Sequence, residues 1–297
     1  MRFGIAGNIE KPEIGQIVDA LVTRFRREHI PFVIHDRLAA RLRGRLGWLK
    51  TARIRTVPER RLAESCDLLI SIGGDGTILR MTRLVSGHGT PILGVNVGKL
   101  GFLAEVSREE LDGVLDEILR GEYEIEERIM LEAVSDGSRK KSYALNDIVV
   151  DLNVSSRVVQ VDTWVNGEFL ASFNGNGMIV STPTGSTGYA LSNGGPIVTP
   201  TNRVLLVSPI CPHTLTARPV VVSDDSIVRL TVKQATAPVN VVADGEMQHV
   251  RKAPLTVTVR RAPFTAKLIK RRNVSYYDVL RRKLHWGKDL RSSGNGG

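Results

Sequence analysis

Residues 69–80 read LISIGGDGTILR: an apolar run ends in Gly73-Gly74-Asp75-Gly76, and a helical pattern follows. Strand, glycine turn and helix make the layout of a phosphate site. Glycines admit a close anion, and the free N–H groups of a helix start, expected here near Thr77, favour negative charge. Open α/β sheets place ligands at the carboxyl ends of such strands. A carboxylate there repels phosphate, so Asp75 needs a task of its own. It can take a proton from an attacking hydroxyl, or hold a magnesium ion that bridges to phosphate. The alternative is a turn whose aspartate caps the helix.

The other usual phosphate loops are missing. GVNVGKL (94–100) lacks the spacing and the hydroxyl of a Walker loop, and no GxGxxG follows the first strand, where only Gly4 and Gly7 stand. A second polar cluster, STPTGSTGYALSNGGP, runs from Ser181 to Pro196 directly after the apolar GMIV. Its hydroxyls, its glycines and Tyr189 offer donors, acceptors and an aromatic face for a base or a ribose, and long loops are often functional. Asn146-Asp147 interrupts ALNDIVV, either as a buried structural hydrogen bond or as a ligand contact. His35, His213 and His285 stand alone and are expected to be structural, and Cys66 and Cys211 have no ligand spacing.

The elements that position these residues fall into two rhythms. RFGIAG, PFVIHD, CDLLISI and PILGVNV read as buried strands, with helices over Pro12–His29 and Thr77–Ser86. That alternation predicts a parallel sheet covered on both faces. SREELDGVLDEILRGEY reads as a helix with Ser107 and Glu110 spaced as a capping box. The stretch from Arg41 to Arg55 reads equally as helix or loop. After Tyr123 short alternating segments dominate, and Asn166-Gly167 marks a tight hairpin, so an antiparallel sandwich is expected. A short basic helix is expected over Val274–Leu284, and RSSGNGG reads as a disordered tail. The predicted division is an α/β domain over 1–105 carrying GGDG, a mainly β domain over 106–270, and a basic helix and tail over 271–297.

A length of 297 residues suits two cores, and the formal net charge is +10. The excess is clustered around Arg24–Arg27, Arg37–Arg61 and Arg260–Arg291, which suits a solvated face, or else a nucleic acid, a membrane surface or a phosphorylated small molecule. No helix-turn-helix, zinc finger or basic-aromatic interleaving accompanies it, so nucleic acid is not expected as a partner. MRFGIAGNIE reads as a strand and not as a signal peptide, and no apolar run suits a membrane helix, so a cytoplasmic protein with two reduced thiols is expected.

Taken together, SIGGDGTILR (71–80), GVNVGKLGFLAEV (94–106), ALNDIVV (144–150), GMIVSTPTGSTGYALSNGGP (177–196), SPICPHTLTARPVVV (208–222) and ADGE (243–246) resemble the NAD kinase family. GGDG alone is shared with lipid kinases and resembles phosphofructokinases; followed by TPTGST it is specific to this family. The resemblance implies an α/β N-terminal domain with phosphofructokinase-like, Rossmann-like layering, a C-terminal β-sandwich, and an active site in the crevice between them. It implies phosphorylation of the 2′-hydroxyl of the adenosine ribose of NAD, with ATP or another donor and a divalent cation, Mg²⁺, carried by the donor phosphates. Asp75 would be the general base, with Gly73, Gly74 and Gly76 making room for phosphates and Arg80 and Arg157 pairing with them. A carboxylate is a weak base, but phosphoryl transfer rests mainly on positioning and charge stabilisation. Asn146 and Asp147 would hold the adenine–ribose end, and Thr187, Gly188, Tyr189, Ala190, Leu191 and Ser192 would line the dinucleotide pocket. The family resemblance also implies a homodimer or homotetramer.

The chain departs from the family pattern at three positions. Asn174 and Asn176 stand where an Arg-like residue and an Asp are common, which removes a charge pair near the NAD pocket and bears on the choice between NAD and NADH. Glu246 stands where a Gln is common and would repel a pyrophosphate if it pointed inward. Two rivals share part of the pattern. A lipid kinase shares GGDG, but the TPTGST loop is polar and no apolar tunnel is evident. A catalytically silent NADP sensor is favoured by Asn174 and Asn176 and opposed by the intact Asp75.

Overall fold

The computed structural model describes residues 1–43, 54–98, 101–152, 158–270 and 275–286. The chain forms two compact units, one of residues 1–84, 90–126 and 268–297, the other of 85–89 and 127–267.

The first unit is built on β1 (Phe3–Gly7), β2 (Phe32–His35), β3 (Thr56–Val57), β4 (Leu68–Gly73) and β5 (Ile92–Asn96). All pair in parallel, in the order β3-β2-β1-β4-β5. β1 and β4 are buried at every position, which is why their sequences run apolar without alternation. Helix Ile14–Arg27 lays Ile14, Ile17, Val18, Leu21, Val22 and Phe25 on one face and buries it in this core. Burial of each such side chain stabilises by about 1.5–3 kcal/mol. The order reverses direction between β1 and β4, and ligands of open α/β sheets bind beyond the strand ends at such a point.

The domain boundary lies later than residue 105. Helix Leu111–Leu119 buries Leu111, Val114, Leu115 and Ile118 in the first core, and Arg24 clamps it by donating to the Asp112 carbonyl at 2.8 Å and to Asp116. Of the expected capping box, the Glu110 carboxylate accepts the Ser107 N–H at 3.0 Å, and the helix itself begins at Leu111. The C-terminal segment is likewise no separate piece. Leu268 pairs with Ile92, Ile269 joins the first core, and helix Tyr276–Leu284 belongs to the same unit. The tail beyond 286 lies outside the described residues, as does most of the unassigned stretch 41–55.

The second unit holds β6 (Glu124–Ser135), whose first three residues belong to the first unit, β7 (Lys141–Ala144), β8 (Asp147–Leu152), β9 (Val159–Val165), β10 (Glu168–Gly175) and β11 (Gly177–Ser181). It continues with β12 (Val204–Ile210), β13 (Val220–Ser223), β14 (Val228–Val232), β15 (Val239–Ala243), β16 (Glu246–Arg251) and β17 (Leu255–Lys270), the last of which runs on into the first unit. One sheet runs β10-β9-β14-β17 with β6 and β7 beside it, and the other runs β13-β12-β11-β8-β15-β16. Alternate residues of both, among them Val150, Val180, Val207, Val241, Leu230 and Val257, meet in a single core. Asn166 and Gly167 take φ of 52° and 85°, the left-handed pair a two-residue hairpin between β9 and β10 requires.

Candidate functional site

The glycine loop leaves β4 at Gly73, and the helix that follows spans Asp75–Val85, two residues earlier than the sequence suggested. Asp75 is therefore the first residue of the helix, but it does not cap it. Its carboxylate turns to another segment and accepts the main-chain N–H groups of Phe102 at 2.7 Å, Leu103 at 3.0 Å and Ala104 at 3.2 Å. Gly101 makes this approach possible, since a Cβ there would lie 1.7 Å from Asp75 Oδ1. A carboxylate offers about four lone-pair sites, and among the described residues these amides take three of them.

A cavity of about 390 Å³ opens at the reversal point of the sheet. Gly7, Asn8 and Ile9 enter it from the end of β1, His35 and Arg37 from the end of β2, and Gly74, Gly76 and Thr77 from the glycine loop. Lys11 and Arg80 complete a cationic lining around the start of helix Asp75–Val85. Arg80 is held by an ion pair with Glu59. Gly74 and Gly76 have open space where a side chain would stand, whereas Gly73 packs against Thr77. His35 lies beneath this lining, 3% exposed, and burial pushes its imidazole below the ordinary histidine range.

The second unit carries a cavity of about 350 Å³ lined by Asn146, Asp147, Val149, Asp151, Tyr189, Val242, Asp244 and Gly245. Asp244 builds it. Sitting at φ 48° in the turn before Gly245, it accepts the N–H groups of Leu145 at 3.0 Å, Asn146 at 2.7 Å and Asp147 at 3.3 Å. The Asn146 side-chain oxygen is buried without a hydrogen-bond partner, although its residue borders the cavity. Burial, with the neighbouring Asp244 charge as the lesser cause, raises the Asp147 carboxyl to about 7. Both alternatives left open for Asn146-Asp147 thus meet in one turn: its main chain is structural and its side chains face a cavity.

The hydroxyl-rich segment contributes less than its composition suggests. Thr182 Oγ1 donates to the Leu145 carbonyl at 2.6 Å, Ser186 Oγ to Pro183 at 2.6 Å, and Thr187 Oγ1 to Thr184 at 3.2 Å. These hydroxyls fold the segment into a 3₁₀ turn, Thr184–Thr187, and a short helix, Tyr189–Ser192. Gly188 comes close to the Asn146 and Asp147 side chains. Ala190 packs with Val198 and Leu206 away from the cavity, and Tyr189 alone of the six expected residues lines it. Asn174 is exposed on β10, Asn176 donates its N–H to the Ile210 carbonyl, and Glu246 is exposed at the start of β16; none of the three lines the cavity. Arg157 lies outside the described residues.

Several lining residues escaped sequence reasoning. Asp244 lies inside ADGE, where nothing in the local sequence sets it apart from Glu246. Gly7, Asn8 and Lys11 follow a strand without a glycine fingerprint, and Arg37 is one among 41 Lys and Arg residues, so no local signal marks them.

Comparison with known proteins places the chain in a family. Residues 3–123 match the family model of the ATP-NAD kinase N-terminal domain, and residues 145–271 match that of the C-terminal domain. The NAD kinase of Moorella thermoacetica is 38% identical over 293 residues, covering 96% of this chain and 90% of that protein. The NAD kinase of Bacteroides fragilis is 40% identical over 227 residues, 76% of this chain and 78% of that protein. Among solved structures, yeast NADH kinase complexed with NADH shares the fold at a TM-score of 0.89 and 23% identity, covering 98% of this chain and 89% of that one. An Archaeoglobus fulgidus NAD kinase in complex with ATP superposes at a TM-score of 0.76 with 25% identity, covering 96% and 99%. With both domain models matched in order, from a glycine-turn carboxylate in one unit to an Asn-Asp turn in the other, this chain belongs to the NAD kinase family.

Proposed function

We propose that this family member transfers the terminal phosphoryl group of ATP to the 2′-hydroxyl of the adenosine ribose of NAD, giving NADP, with Asp75 as the group that takes the hydroxyl proton. The ribose oxygen bonds to the γ-phosphorus, ADP leaves, and the proton passes to the carboxylate. The observation that carries this reading is the fixing of Asp75 by three consecutive amides between two glycines that line a cationic cavity. Catalysis of phosphoryl transfer is mostly positioning and charge stabilisation, and a pinned carboxylate supplies the first.

The donor phosphates fit the cavity at the sheet's reversal point, with Lys11, Arg37, Arg80 and the N–H groups of helix Asp75–Val85 as counter-charges. Mg²⁺ would enter with the donor, held by its phosphate oxygens, which leaves the Asp75 carboxylate for the ribose proton. When bound the ion would neutralise charge on the transferring group. The adenosine end of NAD fits the second cavity, where the unpartnered Asn146 oxygen and the Asp147 carboxyl are free to bond the base and ribose, and Tyr189 offers a face. The homodimer or homotetramer expected of the family has apolar surface available in the exposed Val221, Met247 and Val250 of the outer strands. A cytoplasmic location accords with two free thiols, Cys66 and Cys211, and among the described residues no helix is long and apolar enough to cross a membrane.

Incubation of the purified protein with NAD, ATP and Mg²⁺, followed by an NADP assay, tests the reaction; NADH and polyphosphate arms define acceptor and donor. Asp75→Asn should retain NAD binding by calorimetry and lose most of kcat. An undiminished kcat would remove Asp75 from the chemistry.

A further inference from the structure

The C-terminal helix Tyr276–Leu284 has no task in the reaction as described. It is well built for a chain end. The Ser275 hydroxyl accepts the Asp278 N–H at 3.1 Å, the Asp278 carboxylate accepts the Ser275 N–H at 3.2 Å, and Val279 and Leu280 are buried. Such a capping box and apolar anchor fix the helix against the first unit. From its last turn Lys283 places Nζ 5.9 Å from the centroid of the Phe102 ring.

Phe102 is the residue whose N–H makes the shortest of the three bonds to Asp75. Its ring is only half-buried, and it follows Gly101, which has no side chain to pack. Gly98, at φ 112°, adds a second permissive position upstream. Downstream the segment is anchored, since Leu103, Ala104 and Val106 are buried and Val106 bridges to Val95, so the end left without support of its own is Phe102 beside Gly101. A cation over the ring face supplies an attachment to a rigid helix.

We propose that Lys283 is a positioning residue for the reaction. Seated over Phe102, it holds that residue in the orientation in which its amide points at Asp75. The C-terminal helix is then a brace for the reacting carboxylate, joined to it through one aromatic ring. Lys283 touches neither Asp75 nor a substrate in this scheme. The inference rests on the reading of Asp75 as the proton acceptor.

The test compares Lys283→Met, which keeps the stem and removes the charge, with Lys283→Arg, which keeps a cation, in the full-length protein. Lys283→Met should lower kcat about two- to five-fold, the range expected for loss of one partly exposed cation–π contact. KM for NAD and for ATP should be unchanged, Tm should hold, and Lys283→Arg should restore kcat. In a Phe102→Leu background the effect of Lys283→Met should vanish, because the ring that carries it is gone. An unaltered kcat, a rise in KM instead, failure of arginine to rescue, or the same loss without the ring would each overturn the proposal. Asp75→Asn assayed alongside separates the two levels. If Asp75→Asn is crippled and Lys283→Met is not, the brace alone fails; if Asp75→Asn keeps full kcat, both readings fail.

Discussion

The Asp244 carboxylate accepts the main-chain N–H of Asn146 at 2.7 Å, joining residues 98 apart in sequence. With the Leu145 and Asp147 amides it closes a carboxylate-centred turn. Asp75 does the same to residues 102–104 in the other unit. Each unit thus uses an aspartate to pin a main-chain segment bordering its cavity or its reacting group. An ionised carboxylate suits this role because charge-assisted bonds are roughly twice as strong as neutral ones and it can take several donors at once.

Asp244→Asn isolates the charge while keeping a residue that tolerates the left-handed turn at φ 48°. The amide oxygen can still accept from Asn146 and Asp147, but the Leu145 N–H then faces an NH₂ group. Loss of one such bond costs about 1–3 kcal/mol. We expect a lower midpoint in chemical denaturation and a raised KM for NAD, with kcat nearly retained. A variant with wild-type stability and KM would show that the turn holds without the charge.

The Asp147 carboxyl, raised to about 7 mainly by burial and secondarily by Asp244, makes stability depend on pH. In the unfolded chain this carboxyl loses its proton near the ordinary aspartate value of 3.8, whereas in the folded protein it keeps it to about 7. Between those values the folded state binds the extra proton, so folding becomes less favourable as pH rises through the window and the penalty is complete above it. Asp147→Asn should abolish this slope. Denaturation midpoints of the two proteins should therefore diverge from pH 4 to 7, the Asn variant becoming relatively more stable. Parallel curves would contradict the raised value.

Sequence alone made the strands, the glycine turn and the helix after it legible, because glycine punctuation and apolar periodicity are local. What Asp75 bonds to was not legible. Its donors lie 27 to 29 residues away and present only main-chain N–H groups, which every sequence offers everywhere. The same holds for Asp244. The hydroxyls of 181–196 are the opposite case: their side chains are conspicuous in the sequence, yet Thr182, Ser186 and Thr187 donate to the chain's own carbonyls, which no local pattern announces. Lys11 and Arg37 become notable only once β1 and β2 lie beside β4, a matter of strand order and not of spacing.

The ion pair between Glu59 and Arg80 bears on the donor. Arg80 reaches the cavity from the second turn of helix Asp75–Val85, and Glu59 keeps its guanidinium in one orientation. Arg80→Met should raise KM for ATP about ten-fold while leaving KM for NAD alone, as expected for one charged bond to phosphate worth about 1.5–3 kcal/mol. Glu59→Gln should produce a smaller shift of the same sign. Steady-state titration of each substrate separates the two constants, and an effect confined to NAD would place the donor elsewhere.

Gly101 offers the most local test of the Asp75 geometry. Its Cβ position lies 1.7 Å from Asp75 Oδ1 and 2.5 Å from Cγ, so alanine and the bonded carboxylate cannot coexist. The backbone at Gly101 is not left-handed, so alanine imposes no conformational strain of its own. The clash is with a side chain on the first turn of a helix, and the carboxylate is the freer partner; it swings off the amides of 102–104. The first unit's core lies elsewhere, in residues such as Phe3, Ile70 and Val95, so the fold should survive. We therefore expect Gly101→Ala to lower kcat more than ten-fold with KM for NAD little changed, since the second cavity is untouched. Circular dichroism and Tm establish folding, and single-turnover kinetics at saturating ATP report the chemical step. Full activity in a folded Gly101→Ala protein would mean that phosphoryl transfer does not need Asp75 bonded to those amides.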